Sequence, residues 1–315
     1  MADVGDNNFM RYVYRGEEGE IIPREATHIT VHEDCTVVRA EAFAEHPNIV
    51  EVICHTGVEK IEPCAFSGCL NLRRVIMPGV RVVEEEAFYA CPVLTDVECG
   101  ELELIKEWAF RECDSLKSID VPSARFVEEY AFGHCPALTN VKFGSKLESF
   151  EGEVFYGCRS LERITIPLKY GIISADNTFQ LCENLKQVDL IDGELHKTIA
   201  ALQLEDWRND MNREIDSINQ ILPNASAGRW DFYDVNDDDP GEKALAVRMW
   251  IRSVIRKITR YQAEHQRLLD EAVSTLQHAL PHDILMNNVL PFLALTSYTF
   301  EEHDHVMEED GSDGE

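Results

Sequence analysis

The chain has 315 residues, 58 acidic and 29 basic, for a formal net charge of −29. Such a surface is repelled by nucleic-acid phosphates and anionic lipid, which disfavours both as partners, and it steers basic partners inward. No apolar run is long enough to cross a bilayer, and the hydrophobic share of 44% suits a chain with a buried core.

Residues 1–22 carry neither a basic stretch nor an apolar segment, so they read as an N-terminal cap segment and not as a secretory leader. Ten cysteines in a chain of this length and no leader are then expected to be reduced thiols of a cytoplasmic or nuclear protein.

From residue 23 to 192 one unit repeats. Its marker is phenylalanine, at Phe43, Phe66, Phe88, Phe110, Phe132, Phe155 and Phe179, with alanine directly before the first five. Cysteine follows three residues later, at Cys69, Cys91, Cys113, Cys135, Cys158 and Cys182, with His46 in the first unit. Three residues further stands an aliphatic, from Ile49 and Leu72 through to Leu185. A two-residue alternation comes next: Val52-x-Cys54, Val75-x-Met77, Val97-x-Cys99, Ile119-x-Val121, Val141-x-Phe143, Ile164-x-Ile166 and Val188-x-Leu190. Ile29-x-Val31 supplies a copy ahead of the first phenylalanine. Alternation with β-branched residues predicts short strands with one buried face, eight in all. A second aliphatic precedes each phenylalanine, at Val38, Ile61, Val83, Ile105, Val127, Phe150 and Ile173. A single unit of this size cannot bury its own apolar face, so units must stack into a solenoid.

The six equivalent cysteines are expected to form a column inside that solenoid. Cys54 and Cys99 take strand positions that Met77, Val121, Phe143 and Ile166 fill elsewhere, which marks an apolar site. Cys35 and Cys64 are the thiols expected to be most exposed. Convergent C-x2-C pairs are absent, so no metal site is predicted.

The segment Ser115 to Leu138, SLKSIDVPSARFVEEYAFGHCPAL, resembles the BspA-type leucine-rich repeat, and the resemblance spans about residues 20–192. It implies an α/β leucine-rich-repeat solenoid with short parallel strands, and it brings no catalytic residues. Members of that family resemble adhesins or surface-interaction proteins. The layout of repeats followed by a helical tail is also similar to repeat proteins expanded in diatoms.

Residues 193–300 are predicted to be a helical hairpin tail, an antiparallel coiled coil. Leu202, Trp207, Met211, Ile215, Ile218 and Leu222 recur at helical spacing. Val247, Ile251, Val254, Ile258, Tyr261, His265, Leu268 and Ala272 form a cleaner seam with alternating steps of four and three. The connector 223–241 is acidic and turn-rich and is expected to be mobile. Its Asp234, Asn236 and Asp238 have calcium-loop spacing, but the loop glycine is missing and Leu245 stands where a bidentate glutamate is needed. Ile284, Leu285, Val289, Leu290, Phe292 and Leu293 are expected to cover the solenoid end or flank. Residues 301–315 are read as a disordered acidic tail.

The chain has no G-x-S-x-G, P-loop, G-x-G-x-x-G or H-E-x-x-H motif, so no enzyme, cofactor or metal is predicted. Partner binding is placed instead on strand residues expected to face outward: Arg74, Asp96, Glu98, Asp120, Asn140, Lys142 and Arg163. Trp108 and Tyr130 occupy a position held elsewhere by Glu41, Glu86 and Glu153, so they are expected either to be exposed anchors or to pack against the tail helices. The reading is a non-catalytic protein–protein interaction scaffold using this face and the tail. A cell-surface recognition module and a coiled-coil assembly protein are the alternatives.

Overall fold

Short strands and tight turns alternate through the first two-thirds of the chain, as the repeat requires. The computed structural model describes residues 9–191, 199, 204–229, 239–278, 280, 281 and 284. In chain order the strands are β1 (Arg11–Tyr14), β2 (His28–Val31), β3 (Val37–Val38), β4 (Glu51–Ile53), β5 (Lys60–Ile61), β6 (Arg74–Ile76), β7 (Val82–Val83) and β8 (Asp96–Glu98). They continue as β9 (Leu104–Ile105), β10 (Ser118–Val121), β11 (Phe126–Val127), β12 (Asn140–Phe143), β13 (Ser149–Phe150), β14 (Arg163–Ile166) and β15 (Gln187–Leu190).

The longer strands build the front of a parallel solenoid. Except between β8 and β10, each residue pairs with its equivalent one unit on, as in Val52 with Val75 and Ile164 with Val188. The front strands number nine, not the eight expected, because Arg11–Tyr14 pairs in parallel with β2. Tyr14 closes the N-terminal end of the core at 2% exposure, its ring 4.9 Å from Phe43. The aliphatics before each phenylalanine form a second sheet on the back, ordered β13-β11-β9-β7-β5-β3.

Between the sheets the phenylalanines stack in one column. Neighbouring rings lie 4.9 to 5.7 Å apart and nearly parallel. Each stacked pair contributes about 0.5–1.5 kcal/mol beyond area burial. Beside it runs the cysteine column, whose thiols donate to the phenylalanine carbonyl one unit earlier. Cys69 reaches the Phe43 oxygen at 3.0 Å, Cys113 the Phe88 oxygen at 3.3 Å and Cys158 the Phe132 oxygen at 3.0 Å. A weak donor on a small apolar side chain meets both demands of this site. All ten cysteines are free thiols. Cys35, expected to be exposed, is buried and donates to the Val37 carbonyl at 3.2 Å; Cys64 is half-buried.

In the first six turns two residues adopt left-handed backbone, two before and two after the phenylalanine; in the last only Leu181 does. Trp108 and Glu112 flank Phe110 in this way at φ 58° and 60°. Gly68 and Gly157 hold the later position without strain, whereas Ala90 sits there at φ 52°. Ala90→Gly is therefore expected to stabilise the protein by about 0.5–1 kcal/mol in urea titration. Unchanged or lower stability would show that the turn carries no such strain.

Two helices follow, α1 (Glu205–Ile221) and α2 (Lys243–Leu276). They pair with reversed order: the Trp250 indole donates to the Glu214 carbonyl, Lys257 bonds Glu214 and Asp210, and Tyr261 stacks on Trp207. The hairpin caps the last repeat. Asn219 Oδ1 accepts from the Val188 amide of β15 at 3.0 Å, and Arg248 pairs with Asp176. Lys243 is 2% exposed and donates to the carbonyls of Leu185 at 2.7 Å and Leu222 at 3.0 Å. It ties repeat, α1 and α2 together, and burial lowers its ammonium pKa. His265 is buried, as its place on the seam predicts, but Leu268 one turn later is 39% exposed.

The connector, expected to be mobile, is anchored at both ends. Arg229 and Asp239 exchange backbone hydrogen bonds at 2.8 and 3.0 Å, and the Leu181 amide donates to Ala227. Gly228 and Gly241 make this neck possible. Both have positive φ, and a Cβ on Gly241 would lie 2.4 Å from the Gly228 nitrogen. Gly241→Ala is expected to cost more than about 1 kcal/mol and to expose α1 to protease in limited digestion. A digestion pattern like the parent's would mean the neck does not hold the tail. Asp234, Asn236 and Asp238, the apolar segment 285–293 and the acidic end 301–315 lie outside the described residues.

Candidate protein interface

The parallel register brings the outward strand positions into rows across the front. Arg74, Asp96, Glu98, Asp120, Lys142 and Arg163 are exposed and Asn140 is half-buried. Because equivalent residues pair in register, Ser118, Asn140, Arg163 and Gln187 form one row and Asp120, Lys142, Thr165 and Asp189 the next. At the C-terminal end Arg163 donates to Gln187 at 2.7 Å and lies 3.5 Å from Asp189. At the N-terminal end Arg74 bonds Glu98 at 2.6 Å and Glu51 at 3.6 Å. Glu98 beside it holds the guanidinium above its ordinary pKa. These exposed pairs add little stability each, about 0–1 kcal/mol by general experience.

The front pairing is interrupted once. One sheet runs β1-β2-β4-β6-β8 and a separate one β10-β12-β14-β15. The unit length does not change at the break. In continuous register, however, Glu98 would face Asp120, and like charges directly opposite destabilise a pair. The neighbouring Asp120 and Lys142 do pair in register, and there the charges are opposite. Val97 is left half-buried, whereas Val52, Val75 and Val141 at the same position are fully covered. The opening is a groove of about 440 Å³ lined by Arg74, Thr95, Asp96, Val97, Ser118 and Asp120.

Trp108 and Tyr130 are not the exposed anchors expected from sequence. Both are half-buried, because their left-handed backbone lays the rings on either side of Arg111. The guanidinium sits 4.7 Å from the Trp108 ring centre and 5.2 Å from that of Tyr130. Neither depends on the tail for this cover. Burial, then a hydrogen bond to Glu153, pushes the Tyr130 phenol pKa well up. Burial, then Arg111, lowers the His134 pKa beside them. Burial and the adjacent Glu153 also raise the Glu129 carboxyl.

Sequence reasoning missed the groove, Arg111 and Lys243. The opposed Glu98 and Asp120 were the only signal for the groove. Among the described residues no group of three or more histidine, cysteine, aspartate or glutamate side chains converges as metal ligands. Among them, too, no helix is long and apolar enough to cross a membrane.

A model of the BspA type leucine rich repeat region matches residues 24–127 and 103–200 in six copies, which is over half of the chain. No curated protein matches. Similar solved structures include a leucine-rich repeat protein from Bacteroides ovatus, at 22% identity and TM-score 0.44, covering 55% of this chain and 47% of that one. The chain thus spans about half the length of that protein. Another is the T. pallidum leucine-rich repeat protein, at 19% identity and TM-score 0.37, covering 58% and 70%. A third is the human trophoblast glycoprotein 5T4, at 14% identity and TM-score 0.34, covering 62% and 82%.

Proposed function

This chain belongs to the BspA-type leucine-rich repeat family, and we propose that it is a non-catalytic scaffold that binds another protein through the front face of its repeats. Leucine-rich repeat proteins of this kind generally act as protein-interaction or surface-recognition modules. The observation that carries the reading is the front face itself, where Arg74, Asp96, Glu98, Asp120, Asn140, Lys142 and Arg163 stand on strands of fixed parallel register. A rigid array of polar groups discriminates partners by charge and costs little ordering on binding. Trp108 and Tyr130 serve it indirectly, by stiffening the turns beside the sheet. The tail offers a second surface, where Ile221, Leu245 and Met249 are exposed.

Proximity labelling from the full chain in its native cell tests this proposal, with Arg74→Glu, Lys142→Glu and Arg163→Glu combined as the comparison. The triple variant should lose specific neighbours while keeping the parent's melting temperature. An unchanged set of neighbours would overturn the assignment of the face.

We place the scaffold in the cytoplasm or nucleus, because its ten thiols are all unpaired. The family favours a second reading, a surface-recognition module. Ten reactive thiols after denaturing the protein from its native source support the first reading, and oxidised cysteines support the second.

A further inference from the structure

The single interruption of the front sheet is also where its carboxylates gather. Between β8 and β10 the pairing is absent, while back strands β7, β9 and β11 of the same units stay paired. Two strand edges thus border the groove of about 440 Å³ and offer main-chain donors and acceptors inside a sheet. Asp96, Glu98 and Asp120 stand at its rim against one cation, Arg74, which Glu98 and Glu51 already engage. Among the described residues Asp120 has no ion-pair partner, and Asp96 accepts only from the Thr95 hydroxyl at 2.9 Å.

We propose that this seam is the docking slot for an extended segment of a protein partner that carries lysine or arginine. The inference rests on reading the front face as the interaction surface. The main chain of such a segment lies along the open edges and hydrogen-bonds to them. Its cationic head groups reach Asp96 and Asp120, the two rim carboxylates that form no salt bridge at bonding distance. The rim charge selects a basic occupant, because an acidic segment would be repelled by all three carboxylates.

The probe is an acetylated, amidated peptide of alternating lysine and threonine, followed by fluorescence anisotropy with the full chain at physiological salt. Asp96→Asn combined with Asp120→Asn should weaken binding about tenfold. Glu107→Gln with Glu129→Gln, an equal charge change on the turns, should alter it less than about twofold. Bound peptide should slow amide exchange in 96–99 and 118–121, and matched melting temperatures certify that both variants fold. Equal weakening by the two pairs, absent binding, or unprotected seam amides would each overturn the slot. Such a result leaves the broader front-face reading standing if neighbours captured in the cell still depend on Lys142 and Arg163.

Discussion

Raising the pH from 8 to 10 will lower the stability of the solenoid through its buried thiols. Burial pushes the thiols of Cys54, Cys69, Cys99 and Cys182 up from the ordinary 9.0 to about 12, and those of Cys91, Cys113 and Cys135 well above 9.0. The folded protein therefore keeps these protons at a pH where the unfolded chain has released them. Stability is complete below pH 9 and falls as pH rises above it, because the unfolded state then binds fewer protons. Each thiol held up to about 12 costs on the order of 1 kcal/mol at pH 10. The four thiols held up to about 12 together cost on the order of 5 kcal/mol, a large share of a typical domain's stability, and Cys91, Cys113 and Cys135 act in the same direction. Urea unfolding followed by circular dichroism at pH 8, 9 and 10 measures the effect, and replacing Cys91, Cys113 and Cys135 with valine should flatten the dependence. A midpoint constant over this range would mean that these thiols are not buried.

Phe110→Ala should destabilise the solenoid by about 3–5 kcal/mol. Phe110 is fully buried, stacked 5.2 Å from Phe88 and 5.5 Å from Phe132, and its carbonyl accepts the Cys135 thiol. Removing the ring opens a cavity at mid-column, and neighbouring rings fixed by their own units cannot collapse into it. Because each unit contacts only its neighbours, the loss should separate the two ends of the solenoid. Amide exchange should quicken first around residues 88–132. A loss below about 1 kcal/mol would contradict the stacked core.

The parts that were legible in sequence are those that recur. Seven copies of phenylalanine and aliphatic, with cysteine in six of them, set the stack, and period-two alternation set which strand residues face out. β1 escaped because Arg11–Tyr14 has no phenylalanine of its own; Tyr14 borrows Phe43 from the next unit. The back sheet escaped because a two-residue strand is too short to show a period. Trp108 and Tyr130 were misread because glutamates at equivalent positions suggested solvent, whereas a left-handed turn redirects the side chain. Lys243 reads as a solvated helix residue, and only the two carbonyls that converge on it explain its burial. The connector's composition is that of a mobile loop, yet Gly228 and Gly241 close its neck through backbone approach, which composition does not encode.

The front face is most directly tested by a photo-crosslinking residue placed at Asn140 and, separately, at Glu107, in the full chain within its native cell. Asn140 lies on the front row beside Ser118 and Arg163, and Glu107 lies on the turn before Phe110. A discrete crosslinked protein is expected from Asn140 that disappears with Arg74→Glu, Lys142→Glu and Arg163→Glu, and none from Glu107. Crosslinks from Glu107 alone, or from Asn140 regardless of those charges, would contradict the front-face assignment.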